Sequence, residues 1–146
     1  MNRLGMGLLS VLFGAVLAGC ESTRADRPPH IRYGEETCAS CHMLISEERF
    51  AAAARTASGE TRLFDEIGCL LQQRQQLDAE GARIWVHDYE SGAWLEAAQA
   101  VFVRSRELPT PMGHGIVAVA TRAAAARVAQ EVHGEIMEWS QLTQEA

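Results

Sequence analysis

The feature that most constrains the fold is an order of elements, strand–strand–helix, that occurs twice along the chain. In the first copy, RFAAAART and TRLFD flank the turn ASGE and predict a hairpin, and EIGCLLQQRQQL follows as a helix with Asp65 as its N-cap. In the second copy, QAVFVRS and IVAVAT flank the loop RELPTPMGHG. The segment RAAAARVAQEVHG then predicts a helix with Thr121 as its N-cap and Gly134 as its stop. The recurrence suggests an internal duplication.

A further strand is predicted between the two copies. In RIWVHDY, residues 83–89, Ile84 and Val86 alternate with Trp85 and His87, which is the period of a β-strand. Hairpins followed by helices favour an α+β fold. We therefore predict two similar strand–strand–helix modules that form antiparallel sheet with packed helices.

The first twenty residues predict a lipoprotein signal. Arg3 precedes an apolar run, Leu4–Ala18, that is too short for a stable membrane span and ends in the letters LAGC. These letters resemble the lipobox of bacterial lipoproteins, which implies removal of residues 1–19 and attachment of lipid to Cys20. We therefore expect a membrane-anchored protein that faces the periplasm, on either the inner or the outer membrane.

The remaining chain is predicted to consist of a tether and one domain. Residues 20–36 are polar, contain Pro28-Pro29 and show no periodicity, so they predict a flexible tether, and residues 37–146 predict a single domain. The formal net charge is −6, the chain has no Lys and no basic cluster occurs, so nucleic acid is not an expected partner. No nucleophile–base pair is recognisable, so we do not expect an enzyme.

The stretch TCASCHM supports two different metal chemistries. Cys38-Ala-Ser-Cys41-His42 matches C-x-x-C-H, the attachment signature of c-type haem. Counted as far as Met43, the same letters give C-x-x-C-x-M, a set of soft sulfur ligands that suits Cu(I). A third interpretation is a Cys38–Cys41 disulfide with Cys69 as buried apolar filler.

Backbone shape distinguishes the haem and copper hypotheses. A helix would place Cys38, Cys41 and His42 on one face, where a porphyrin could bind. An extended backbone would turn Cys41 and Met43 to one side and His42 to the other. Small c-type haem domains resemble helical wrappings of the porphyrin, whereas the second half of this chain is predicted to contain strands and loops. We therefore favour the extended form and copper.

The predicted copper site combines four sulfur-bearing residues from two parts of the chain: Cys38, Cys41, Met43 and Met112. Met112 lies in the Pro-bounded segment PTPMG, which would present its side chain rigidly. Three weaker candidate ligands are His42, His114 and Cys69. Zn(II) is a minor option, because zinc gains little from a thioether ligand.

Several of these segments together resemble the NosL family, the membrane-anchored accessory lipoproteins of nitrous-oxide reductase maturation. They are the lipobox, CASCHMLI, LFDEIGCLL, VHDY followed by Trp94, and PMGHGIVAVA before an Ala-rich helix. The resemblance implies a Cu(I) chaperone with copper at Cys38, Cys41, Met43 and Met112. It also implies delivery toward the copper sites of nitrous-oxide reductase, with an ABC-type maturation complex as docking partner. At the position of His42, family members often carry Gly.

Two other functions stay open at the level of the sequence. The first is a c-type haem electron-transfer protein that uses residues 38–42 and takes Met112 as a distal ligand. The second is a thiol oxidoreductase that uses Cys38 and Cys41, although the βαβ pattern of thioredoxin-like proteins is missing.

Overall fold

The computed structural model describes residues 26–144, which form two antiparallel sheets. The first sheet has the strand order β2-β1-β3-β4 and the second has the order β6-β5-β7. The strands are β1 (Ala52–Arg55), β2 (Thr61–Phe64), β3 (Arg83–His87), β4 (Trp94–Glu96), β5 (Val101–Arg104), β6 (Ile116–Val119) and β7 (Glu135–Glu138). The helices are α1 (Ile67–Leu71), α2 (Arg74–Ala79), α3 (Arg122–Glu131) and α4 (Trp139–Gln144). The predicted α+β class is confirmed.

The two modules share a topology that extends the predicted repeat by one strand. In each module a hairpin is followed by helix, and the next strand pairs with the first strand of the hairpin. The first strand of the hairpin, β1 or β5, is thus central in its sheet. Both central strands are almost entirely buried, as expected for strands covered by a helix on one face and by further chain on the other.

A short backbone connection and a shared core join the modules. Asp88 forms an isolated parallel bridge to Ala118, and the Tyr89 N–H donates to the Ala118 carbonyl over 2.8 Å. Phe64 of the first sheet and Phe102 of the second are both fully buried in one apolar cluster. Burial of large apolar side chains from both halves stabilises the modules against each other.

The helix of the second module was predicted well. Its N-cap is Thr121, whose Oγ1 accepts a hydrogen bond from the Ala124 N–H over 3.1 Å. Ala125 and Val128 face the core, and the helix ends at Glu131, shortly before Gly134. An amphipathic pattern and a strong N-cap are local signals, which explains the agreement.

The helix of the first module differs from the prediction in two respects. Its N-cap is Glu66 rather than Asp65, and no side chain caps it. The single predicted helix is also divided into α1 and α2 at Gln72 and Gln73. The side-chain amide of Gln73 donates to the Ala39 carbonyl over 2.8 Å. The interruption between α1 and α2 thus contains a residue that contacts the segment between the two cysteines.

The described part of the predicted tether is packed on the domain. Ile31 is buried, and the Tyr33 hydroxyl lies 2.8 Å from His87 Nε2. An apolar residue and a buried polar partner hold this segment, so the packed domain begins before residue 37. The predicted signal peptide and Cys20 lie outside the described residues. Between residues 26 and 144, no helix is both long enough and apolar enough to span a bilayer.

Candidate metal centre

The cysteine motif forms a tight turn that is neither helical nor extended. Thr37 and Leu44 form an antiparallel bridge, and the Cys38 N–H donates to the Met43 carbonyl over 2.8 Å. Within this hairpin the His42 N–H donates to the Cys38 carbonyl, and His42 takes a φ of 62°. The extended backbone predicted for residues 41–43 is therefore wrong, because a left-handed residue reverses the chain between the cysteines and Met43.

Three thiols converge at this turn. The Sγ atoms of Cys38, Cys41 and Cys69 all lie within 4.8 Å of one another. Cys38 and Cys69 are each 1% exposed, whereas Cys41 is half-buried and faces the surface. Cys69 reaches the group because α1 and the residues after it lie against the turn, where Gln72 and Gln73 form hydrogen bonds with Ser40 and Ala39. It is buried, as expected, but the structure also places it beside the predicted ligands. All three are free thiols.

The three thiols differ in acidity. Burial raises the pKa of Cys38, but the backbone N–H groups of Asp65, Cys41 and Ser40 donate to its sulfur and hold the net pKa below its usual value. Burial raises the pKa of Cys41 and that of Cys69. Cys38 adds to both increases, and Cys41 adds to that of Cys69. Cys38 is thus the thiol best prepared to become a thiolate.

The two predicted thioether ligands lie at the surface. Met43 is 57% exposed and Met112 is 44% exposed, and Leu44, which follows Met43 in the sequence, is 53% exposed. The backbone N–H of Met43 lies near enough to the Cys41 sulfur to oppose the rise in the pKa of that thiol, so Met43 adjoins the outermost thiol. Neither methionine is therefore filler of the hydrophobic core, which is the commoner role of methionine.

Glu66 is a residue of the site that the sequence did not reveal. Its carboxylate is almost fully buried, and it accepts hydrogen bonds from the Met112 N–H over 2.9 Å and from the His114 N–H over 3.3 Å. His114 Nδ1 also contacts Glu66 Oε1. The donor atoms of Glu66, Cys69 and His114 lie within 4.8 Å of one another. Residues 105–115, between β5 and β6, form the Met112 loop. This loop is therefore attached to the N-terminal end of the helix that carries Cys69.

Comparison with known proteins decides the family. The family model for NosL matches residues 30–146. The chain belongs to the NosL family. Its fold is similar to the crystal structure of the copper chaperone NosL from Shewanella denitrificans, with a TM-score of 0.68 and 18% sequence identity, covering 82% of this chain and 100% of that chain. No curated protein sequence matches the chain significantly. The resemblance noted in the sequence is thus confirmed.

His42 has an unusual backbone conformation for a residue other than glycine. This residue occupies a left-handed conformation, which glycine adopts without a steric penalty and other residues adopt less readily. Glycine at this position would suit the turn better than histidine does. The apparent haem motif of this chain thus results from one residue at a backbone reversal.

Asp65 belongs to the cysteine site rather than to a helix cap. Its backbone N–H lies near the Cys38 sulfur and contributes to the lowered pKa of that thiol, and Asp65 is 3% exposed. Among the residues that the structure describes, its Oδ1 atom has no hydrogen-bond partner. Burial, together with the nearby Glu66 carboxyl, raises the pKa of Asp65. Asp65 is therefore a buried acid that adjoins the cysteine turn through its backbone.

Proposed function

We propose that this protein is a metallochaperone that binds Cu(I) at its cysteine turn and passes it on. The observation that supports this most strongly is the convergence of Cys38, Cys41 and Cys69 within 4.8 Å. Cu(I) is a soft ion that prefers thiolate and thioether ligands. Three sulfur atoms at this separation need little rearrangement to surround one ion.

The arrangement of the sulfur atoms suits a carrier better than a permanent metal site. The thiols of Cys38 and Cys69 are buried, whereas the thioethers of Met43 and Met112 are exposed. Thioethers are neutral ligands that a partner's sulfur or imidazole displaces easily. Copper held by the inner thiolates would be protected from water, and the exposed methionines would provide the exit to a partner.

The proposed destination and location rest on family membership and on the N-terminal motif. We infer a lipoprotein attached through Cys20 and facing the periplasm, which delivers copper for assembly of nitrous-oxide reductase. An ABC-type maturation complex is the proposed docking partner. The similar solved structure from Shewanella denitrificans is that of a copper chaperone, which supports the copper part of this proposal.

The geometry does not favour the haem alternative. Covalent attachment of haem needs both thiols to reach the porphyrin, but Cys38 is 1% exposed. His42 is exposed and lies in a left-handed turn rather than on a helical face with the two cysteines. A thiol oxidoreductase would need a substrate disulfide to reach the motif, and only Cys41 of the pair is at the surface.

The proposal is tested by anaerobic competition of the reduced protein with a chromophoric Cu(I) chelator. We expect Cys41→Ser, Cys69→Ser, Met43→Ala and Met112→Ala each to weaken Cu(I) binding, with the serine variants affected most. Loss of a hydrogen-bond partner of a metal ligand costs about 10-fold to 100-fold, and loss of a thiolate ligand should cost more. The matched control is Leu44→Ala, which changes an equally exposed side chain without sulfur and should bind as tightly as the unaltered protein.

Two outcomes would contradict the proposal. Affinity that is unchanged in all four variants would remove the sulfur site. Protein matured in a host able to attach haem provides the second test, since a red product with an intense Soret band would establish the haem alternative. We expect a colourless protein.

A further inference from the structure

A chain of side-chain hydrogen bonds connects the cysteine turn with the Met112 loop. Ser40 Oγ, between the two cysteines of the turn, donates to Gln72 Oε1 over 2.6 Å. Gln72 Nε2 lies 3.3 Å from His114 Nε2, and His114 Nδ1 contacts Glu66 Oε1. The carboxylate of Glu66 can only accept, so Nδ1 carries the proton and Nε2 accepts from Gln72. Each hydrogen bond in this series thus has a donor and an acceptor.

Glu66 lies at the end of this series of hydrogen bonds and holds the Met112 loop directly. Its Oε2 accepts from the Met112 N–H, and its Oε1 accepts from the N–H and the ring of His114. A buried carboxylate with three N–H donors has its acceptor capacity largely filled. Such a group is better suited to fixing a loop than to binding a metal ion.

The packing of His114 fixes the same geometry by shape. A Cβ atom added at Gly68 would lie 2.1 Å from His114 Cγ and 2.4 Å from His114 Cβ. Only glycine at this position lets the imidazole lie directly on α1. The Met112 loop is therefore held against the helix that carries Cys69 by both polar and steric contacts.

From these contacts we propose that Glu66 is a positioning residue, which through His114 and Gln72 holds Met112 at a fixed place relative to the cysteine turn. This inference rests on the proposed Cu(I) function. Metal ligands are commonly oriented by hydrogen-bonding partners that do not touch the metal, and removing such partners weakens binding. Here the partner acts on the backbone of the ligand residue rather than on its side chain.

The test is a double-mutant cycle measured by anaerobic Cu(I) competition. Glu66→Gln should weaken Cu(I) binding by about 10-fold or more, because one N–H donor then faces the new amide donor. In a Met112→Ala background the same change should have no further effect, since the positioned ligand is gone. Glu107→Gln is the matched control, because Glu107 belongs to the same loop but its carboxylate pairs with the exposed His133.

A second variant and a copper-free measurement keep the test independent of any folding defect. His114→Phe retains a ring over Gly68 and removes both ring hydrogen bonds. We expect it to behave like Glu66→Gln, and we expect both variants to speed amide hydrogen exchange at Met112. Thermal melts show whether each variant is folded.

The outcomes separate this inference from the proposed function. If the unaltered protein binds Cu(I) and Met112→Ala weakens binding, but Glu66→Gln and His114→Phe do not, the positioning role is refuted while the chaperone function stands. Equal losses from Glu66→Gln in both backgrounds would indicate a merely structural role. Loss of Zn(II) or Co(II) binding instead of Cu(I) binding would make Glu66 a ligand and also overturn the inference. If the unaltered protein does not bind Cu(I), the proposed function itself fails.

Discussion

Gly68→Ala combines a favourable change in helix propensity with a steric clash. The sign of its effect on the free energy of unfolding shows which of the two is larger. Replacing Gly by Ala within a helix usually stabilises by about 0.5–1 kcal/mol. Here the new Cβ would lie 2.1 Å from His114 Cγ and 2.4 Å from His114 Cβ. The clash involves the base of the side chain, so rotation about χ angles does not relieve it. The whole residue has to move away from α1.

The cost of that movement follows from the contacts that it breaks. Displacing His114 removes its hydrogen bond to the buried Glu66 carboxylate, and a bond of this type contributes roughly 1.5–3 kcal/mol. Set against the helix term, the net expectation is a fall of about 1–2 kcal/mol in the free energy of unfolding. The sign is thus opposite to that given by helix propensity alone.

The assay is urea unfolding of the reduced apoprotein, followed by circular dichroism. His114→Gly provides the matched background, because it removes both the ring and the Cβ atom that the new methyl group would meet. In that background Gly68→Ala should stabilise by about 0.5–1 kcal/mol, the ordinary helix effect. An increase in stability from Gly68→Ala in the otherwise unaltered protein would refute the packing argument.

The two remaining predictions concern His42 and His87. His42→Gly should raise the free energy of unfolding by up to about 1 kcal/mol, because glycine relieves the left-handed strain but loses more chain entropy. Urea unfolding measures the change, and His30→Gly is the control, because His30 is exposed and lacks a positive φ. Burial lowers the pKa of His87 from its usual 6.5, so the folded protein favours the neutral imidazole. The stability that this contributes is complete above pH 6.5, and it is lost as the pH falls from about 6.5 toward the lowered pKa. His87→Gln should flatten this pH dependence of unfolding and His133→Gln should not, whereas equal slopes in all three proteins would contradict the assignment.

Local signals in the sequence were sufficient for most of the fold. The hairpins, strand β3 and the helix capped by Thr121 each depend on patterns within a few residues, and each is present. The strands β4 and β7 and the helix α4 were not predicted. They are short, and segments such as EIME become strands because β5 offers an edge for pairing.

The site was only partly predictable, because its parts are brought together by tertiary packing. The sequence places Cys38 and Cys41 in one motif, but it does not place Cys69 beside them. Glu66 follows another acid at the start of a helix, so nothing in the letters distinguishes a buried carboxylate from a surface one. The left-handed backbone at His42 also has no signal in the residue itself, since histidine commonly adopts ordinary conformations.

The two modules differ most in the loop between their hairpin strands. In the first module it is the short turn of residues 56–60, and in the second it is the longer segment of residues 105–115, which carries Met112 to the helix of the other half. The candidate metal centre therefore lies between the two modules of one chain, just as a site at the interface of a heterodimer lies between two subunits. Two separate subunits would form such a centre only at concentrations that favour their association. Covalent connection removes that dependence, so the centre assembles whenever the chain folds, however dilute the protein is.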